Sequence, residues 1–109
     1  FNLFDLIIDD GSHNLSDILF SLNIFFKYLK NNGFFIIEDF KHPNYYQYNK
    51  NINHILVDEF LSNIKDKIFS NSSIFNHEEQ KILMNSIKNI FLEKGNLSDS
   101  DICFLQKIN

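Results

Sequence analysis

No arginine occurs among the ten basic residues of this 109-residue chain; all are lysine. That removes the planar, bidentate contacts common in recognition of phosphates and base edges, and with a net charge of −4 nucleic acid is not expected as a partner. A single cysteine, Cys103, lies in an apolar run. It can build neither a disulfide framework nor a thiolate zinc cluster, and it fits a reduced, cytoplasmic location. No apolar run approaches the roughly 20 residues that span a bilayer, and the first residues lack the charged and small-residue regions of a secretory signal. No membrane association is expected. Alanine and tryptophan are also missing while Asn, Ile, Lys and Phe abound, a bias that reads as A- and T-rich coding and carries no functional weight.

With 44% hydrophobic and 16% aromatic residues, the chain can build one α/β core but is too short for two. Phe4 to Asp10 reads as a strand whose unbroken Leu6-Ile7-Ile8 run predicts cover on both faces, as in parallel sheets. Leu15, Ile18, Leu19, Leu22, Phe25, Phe26 and Leu29 follow at helical spacing. Asn14 is placed to cap that helix and Asp17 lies in its first turn. Asn31-Asn32-Gly33 supplies a left-handed stop, and a second strand, Phe34 to Glu38, follows at once. Strand, helix and strand with short connections form a right-handed crossover, so the two strands should be parallel, with their carboxyl ends on one edge.

Residues 40 to 50 read as a loop over the strand ends, and Ile52, Ile55, Leu56, Phe60, Leu61, Ile64 and Ile68 as a second amphipathic helix broken at Ser70 to Ser73. A shorter helix is predicted over His77 to Met84. Lys88 to Lys94 and Ile102 to Lys107 read as an antiparallel closing hairpin.

The chemistry-bearing residues gather at the predicted strand ends. Neighbouring strands lie about 4.8 Å apart, so Asp10, Glu38 and Asp39 can share an ion that takes oxygen ligands and keeps positions open for substrate. Any one of these acids can equally be a solvated strand end; paired across one crossover they are harder to dismiss. Asp9 should point to the other side of the strand, as support, as a cofactor contact, or in an ordinary structural role. His13 stands where the helix begins, whose partial positive charge favours a neutral ring able to accept a proton. Gly11 fits a tight turn. Ser12 can donate to a carboxylate or simply cap. Tyr45, Tyr46, Tyr48 and His42 can wall a substrate or pack under the loop, and His54 and His77 read as ordinary.

The run Phe4-Asp5-Leu6-Ile7-Ile8-Asp9-Asp10-Gly11-Ser12-His13, with Gly33 through Asp39 one helix later, resembles the class I S-adenosylmethionine-dependent methyltransferases. The likeness is to the metal-dependent sugar O-methyltransferases of macrolide biosynthesis and to the related proteins once labelled cephalosporin hydroxylases. It returns in Gly95 through Lys107, which looks like that fold's last antiparallel strand. The resemblance implies that Asp10, Glu38 and Asp39 hold magnesium and that His13 is the catalytic base, which takes a proton from a hydroxyl of a sugar or other small molecule. Catechol-type methyltransferases place metal acids at the same two strand ends.

Such enzymes bind S-adenosylmethionine with a glycine-rich turn after their first strand and an acid after their second. This chain has only three glycines, none so placed. The resemblance therefore implies the carboxy-terminal half of a Rossmann-like methyltransferase sheet, residues 1–109 supplying fold strands four to seven with the cofactor half absent, and inactive alone. Its exposed sheet edge predicts self-association. Two other readings stay open: a non-catalytic interaction module or remnant half-domain, and a metal-dependent hydrolase or oxygenase with His13 as a ligand.

Overall fold

The computed structural model describes residues 3–40, 55–95 and 101–108. The fold is α/β: a four-stranded mixed sheet in the order β1-β2-β4-β3, built from β1 (Phe4–Asp9), β2 (Leu29–Glu38), β3 (Ile87–Glu93) and β4 (Ile102–Lys107). Among the described residues three α-helices connect them: α1 (Leu15–Phe25), α2 (Val57–Lys65) and α3 (His77–Ser86). β1 and β2 run parallel, and the two remaining pairings, β2 with β4 and β4 with β3, are antiparallel. The predicted parallel pair joined through a helix and the antiparallel pairing of the last two strands are both present.

The connection between β1 and β2 differs from its sequence reading. α1 ends at Phe25 and tightens into a 3-10 turn over Phe26–Tyr28, and β2 begins immediately at Leu29. Asn31-Asn32-Gly33 therefore lies inside a strand rather than ending a helix. The register explains how: Phe4 pairs with Leu29 but Leu6 with Phe34, so β2 carries three extra residues as a bulge. Asn32, at φ 64°, takes the left-handed conformation. Gly33 is needed for space, because a Cβ there would meet the carbonyl oxygens of Asp5 and Lys30, each at 2.9 Å. Lys107 closes the turn from β4, its Nζ donating to the carbonyls of Lys27 and Leu29 at 3.1 and 2.7 Å.

α2 is shorter at its carboxyl end than its periodicity predicts. It stops at Lys65 because Lys67 turns left-handed at φ 60°, while Ile68 N donates to Asn63 O and Lys67 N to Ile64 O. Those two bonds satisfy carbonyls that the helix end would otherwise orphan. Ile68 is left exposed beyond the helix.

All three helices join one core. Leu15, Ile18, Leu19 and Leu22 of α1, Val57, Phe60, Leu61 and Ile64 of α2, and Leu83 and Met84 of α3 are buried with Phe35, Ile37, Cys103 and Leu105 from alternate sheet positions. Cys103 behaves as a core residue, its thiol pushed up to about 12 by burial. The other sheet face is different. Leu6, Ile8 and Phe91 are exposed and Phe34, Ile36 and Phe104 only half-buried, and the pairings Leu6 with Phe34, Ile8 with Ile36, and Phe104 with Ile36 and Phe91 set these six side by side. Among the described residues, the cover predicted for both faces of β1 is present on one face only. Among the described residues β1 is also an edge strand, and a cleft of about 620 Å³ runs along it from Phe4 to Gly11, with Phe25 also lining it.

Candidate active site

The parallel register determines which carboxylates can meet. Asp9 pairs with Ile37, so the next residue on each strand brings Asp10 beside Glu38 at the carboxyl ends of β1 and β2. A chain that stayed extended past Glu38 would send Asp39 to the opposite side. It does not stay extended: Asp39 adopts φ 51°, with its N–H donating to Asp101 O at 2.9 Å. The left-handed residue breaks the alternation, and both neighbouring carboxylates end up close to Asp10.

His13 reaches the same point by a similar device. It too is left-handed, at φ 59°, a conformation that is uncommon without glycine and that surrounding contacts must hold. Its Nδ1 lies 3.1 Å from Glu38 O and its Nε2 3.6 Å from Asp10 Oδ1. A backbone carbonyl can only accept, so the geometry assigns the proton to Nδ1 and leaves Nε2 as the basic nitrogen. Ligand atoms of Asp10, His13 and Asp39 all lie within 4.8 Å of one another.

Of the four residues read from the sequence as metal ligands or base, three form this tight group. Glu38 stands just outside it, against Asp10. Its carboxyl is pushed above the ordinary range by partial burial and by the Asp10 and Asp39 carboxylates, partly offset by His13. This crowding of negative charge is what a bound cation would relieve. The donors are mainly hard carboxylate oxygens, which fit magnesium, and the nearby imidazole extends the fit to manganese or iron.

The loop from Asp9 to Ser16 carries three successive turns in which a side chain accepts from the backbone two residues on. Asp9 Oδ1 accepts from Gly11 N at 3.2 Å, Ser12 Oγ from Asn14 N at 3.2 Å, and Asn14 Oδ1 from Ser16 N at 3.1 Å. Asp10 is the central residue of the first and His13 of the second. Burial, outweighing the Gly11 bond, raises the Asp9 carboxyl, and its Oδ2 is buried with no hydrogen-bond partner among the described residues. Asp9 thus supports the loop, one of the roles its sequence position allowed. The Ser12 hydroxyl also donates to Asp17 Oδ2 at 2.6 Å, so of its two sequence readings it takes the donor to a carboxylate, while Asn14 caps the helix. His42, Tyr45, Tyr46, Tyr48 and His54 lie outside the described residues. His77 stacks on Phe69, with ring centroids 4.9 Å apart, away from this cluster.

Clustered carboxylates at the end of a parallel pair, with an imidazole beside them, are chemically able to hold a cation and to offer a basic nitrogen next to it. Comparison with known proteins adds one relationship. Over 36 residues, 33% of this chain, it is 50% identical to the L-olivosyl-oleandolide 3-O-methyltransferase of Streptomyces antibioticus. The match relates the chain to a methyltransferase along that stretch, which is 9% of the Streptomyces protein's length. No family model matches, and no solved structure matches. Among the described residues no helix is long and apolar enough to cross a membrane.

Proposed function

We propose that this chain is the acceptor-activating half of an S-adenosylmethionine-dependent O-methyltransferase, with a hydroxyl of a sugar or similar small metabolite as substrate. The observation that carries this reading is the convergence of Asp10, His13 and Asp39 at the parallel strand ends, together with the methyltransferase match. Asp10, Glu38 and Asp39 are the residues to hold a divalent cation, magnesium by the hardness of its donors. When bound, such a cation lowers the pKa of an acceptor hydroxyl. His13 then takes the hydroxyl proton at Nε2, while the Glu38 carbonyl fixes the ring through Nδ1.

The residues present do not fit the methyl donor. No glycine-rich turn follows a strand anywhere in the 109 residues, and methyl transfer needs a cofactor half that these residues do not supply. The strand order β1-β2-β4-β3, with β4 antiparallel, supports a reading as strands four to seven of the methyltransferase sheet. The face of Leu6, Ile8, Phe34 and Ile36, left partly open among the described residues, is where further layers of such a domain would pack. Alone, the chain is expected to self-associate through the open β1 edge. Sedimentation across a concentration series should show dimers or larger species, and a monomer at every concentration would remove this expectation.

One observation favours a second reading. The ligand atoms of His13, Asp10 and Asp39 lie within 4.8 Å of one another, a set that also suits a metal-dependent hydrolase or oxygenase with His13 as a ligand. Calorimetry on the full-length protein with Mg²⁺, Fe²⁺ and S-adenosylmethionine separates the two. Methyl transfer predicts binding of Mg²⁺ and of the sulfonium cofactor, with Mg²⁺ affinity lost in Asp10→Asn. It also predicts that affinity falls as pH is lowered, from a higher pH than an ordinary glutamate would set, because protonation of Glu38 removes a ligand at its raised pKa. Iron binding with no affinity for S-adenosylmethionine would overturn it.

A further inference from the structure

Among the described residues, four that are not glycine take left-handed backbone: His13, Asn32, Asp39 and Lys67. Two of these belong to the candidate site. For an L-residue that conformation costs on the order of 1–2 kcal/mol, so the ring of His13 stays where it is only if neighbouring bonds hold the backbone. Asp39 is held by the end of the sheet, through its N–H to Asp101 O. His13 lies in the loop between β1 and α1, where Ser12 Oγ accepts from Asn14 N across it at 3.2 Å.

A serine hydroxyl rotates, and its oxygen accepts well only when its own proton is turned elsewhere. Asp17, in the first turn of α1, supplies that elsewhere by accepting the hydroxyl proton at 2.6 Å, a charge-assisted bond of the stronger kind. The chain of bonds runs from the helix to the carboxylate of Asp17, to Ser12 Oγ, to Asn14 N, and so around His13. Neither Ser12 nor Asp17 is among the three residues whose ligand atoms cluster.

We propose that Ser12, oriented by Asp17, is a positioning residue for His13: it holds the left-handed backbone that brings Nδ1 to the Glu38 carbonyl and presents Nε2 towards Asp10. This rests on the reading of His13 as the base, and it extends that reading to the machinery that sets the ring's tautomer and direction.

The test has two arms on the full-length protein. In the first, nitrogen-15 NMR of the imidazole at a pH where the ring is neutral reads which nitrogen carries the proton. The native protein is expected to show Nδ1–H. Ser12→Ala and Asp17→Ala are expected to shift the ring towards the mixed tautomers of a free imidazole, and Ser12→Thr, which keeps the hydroxyl, to restore the native pattern. In the second arm, Ser12→Ala is expected to lower kcat about tenfold with KM for the acceptor unchanged. Asp17 is exposed, so Asp17→Ala keeps the proposal testable if Ser12→Ala fails to fold. A native tautomer pattern in both alanine variants overturns the proposal, as does failure of Ser12→Thr to restore it. Absence of methyl transfer in the native protein would instead overturn the functional reading, and the NMR arm would still decide the role of Ser12.

Discussion

Replacing His13 with alanine in the full-length protein is expected to lower methyl transfer by about 10²–10⁴-fold, the usual contribution of a positioned general base, while Mg²⁺ affinity changes by less than about threefold. The separation follows from the geometry. His13 Nδ1 is engaged with the Glu38 carbonyl and only Nε2 faces Asp10, at 3.6 Å, whereas a hard cation has three carboxylates to choose from at the same rim. Asp10→Asn should lose both activity and cation binding, because Asp10 lies beside His13, Glu38 and Asp39 alike. The two substitutions together therefore distinguish a base from a ligand. If His13→Ala costs as much cation affinity as Asp10→Asn does, the imidazole is a ligand and the metal-dependent hydrolase or oxygenase reading takes its place. If His13→Ala retains native turnover, the base lies elsewhere. Raising the pH should partly rescue the variant, since hydroxide in solution can replace a missing base while it cannot replace a missing ligand.

Much of this arrangement was legible in the order of residues. Two apolar runs ending in acids, joined by Leu15, Ile18, Leu19 and Leu22 at helical spacing, could hardly form anything but a parallel pair with one shared rim. The closing hairpin was equally plain, because its strands are bounded by a polar, glycine-containing turn. Three features were not. The bulge at Asn31-Asn32-Gly33 carries the composition of a helix stop, and only the pairing of Phe4 with Leu29 shows that the strand begins before it. The left-handed turns of His13 and Asp39 carry only a faint sequence mark: histidine and aspartate adopt that conformation more often than most residues other than glycine, but no spacing in the chain says that these two do. The uncovered face of β1 was also missed, since Leu6, Ile7 and Ile8 look alike in sequence while only Ile7 packs against the core. Ser12 did carry a signal, as a hydroxyl two residues before a helix cap, but that signal names a local turn and not the histidine it encloses.

The largest stability effect is expected far from the carboxylates, at Gln80. This residue is fully buried on α3, and its amide makes three bonds to the segment between α2 and α3. Oε1 accepts from Ser70 N at 2.8 Å, and Nε2 donates to the carbonyls of Ser70 and Phe75, both at 2.9 Å. One side chain thus satisfies the backbone of a stretch that has no helix or strand of its own. It also holds Phe75 under Phe60, with ring centroids 4.9 Å apart. Gln80→Leu keeps the volume and removes all three bonds, leaving a buried N–H and two buried carbonyls unpaired at about 1–3 kcal/mol each. Relaxation and water entry recover part of that, so a net loss of about 3–5 kcal/mol is expected, a large share of the 5–15 kcal/mol typical of a domain. Gln80→Glu is the informative companion. Its carboxylate can still accept from Ser70 N but cannot donate to either carbonyl, and it buries a charge, so at neutral pH it should be no more stable than the leucine variant and should recover as pH falls and the carboxyl protonates. Urea unfolding measures both. A loss below about 1 kcal/mol in Gln80→Leu would mean that water or the chain itself replaces the amide, and that the segment from Ser70 to Phe75 is held by Asn23, whose Nδ2 donates to Ile74 O at 3.0 Å, and by packing alone.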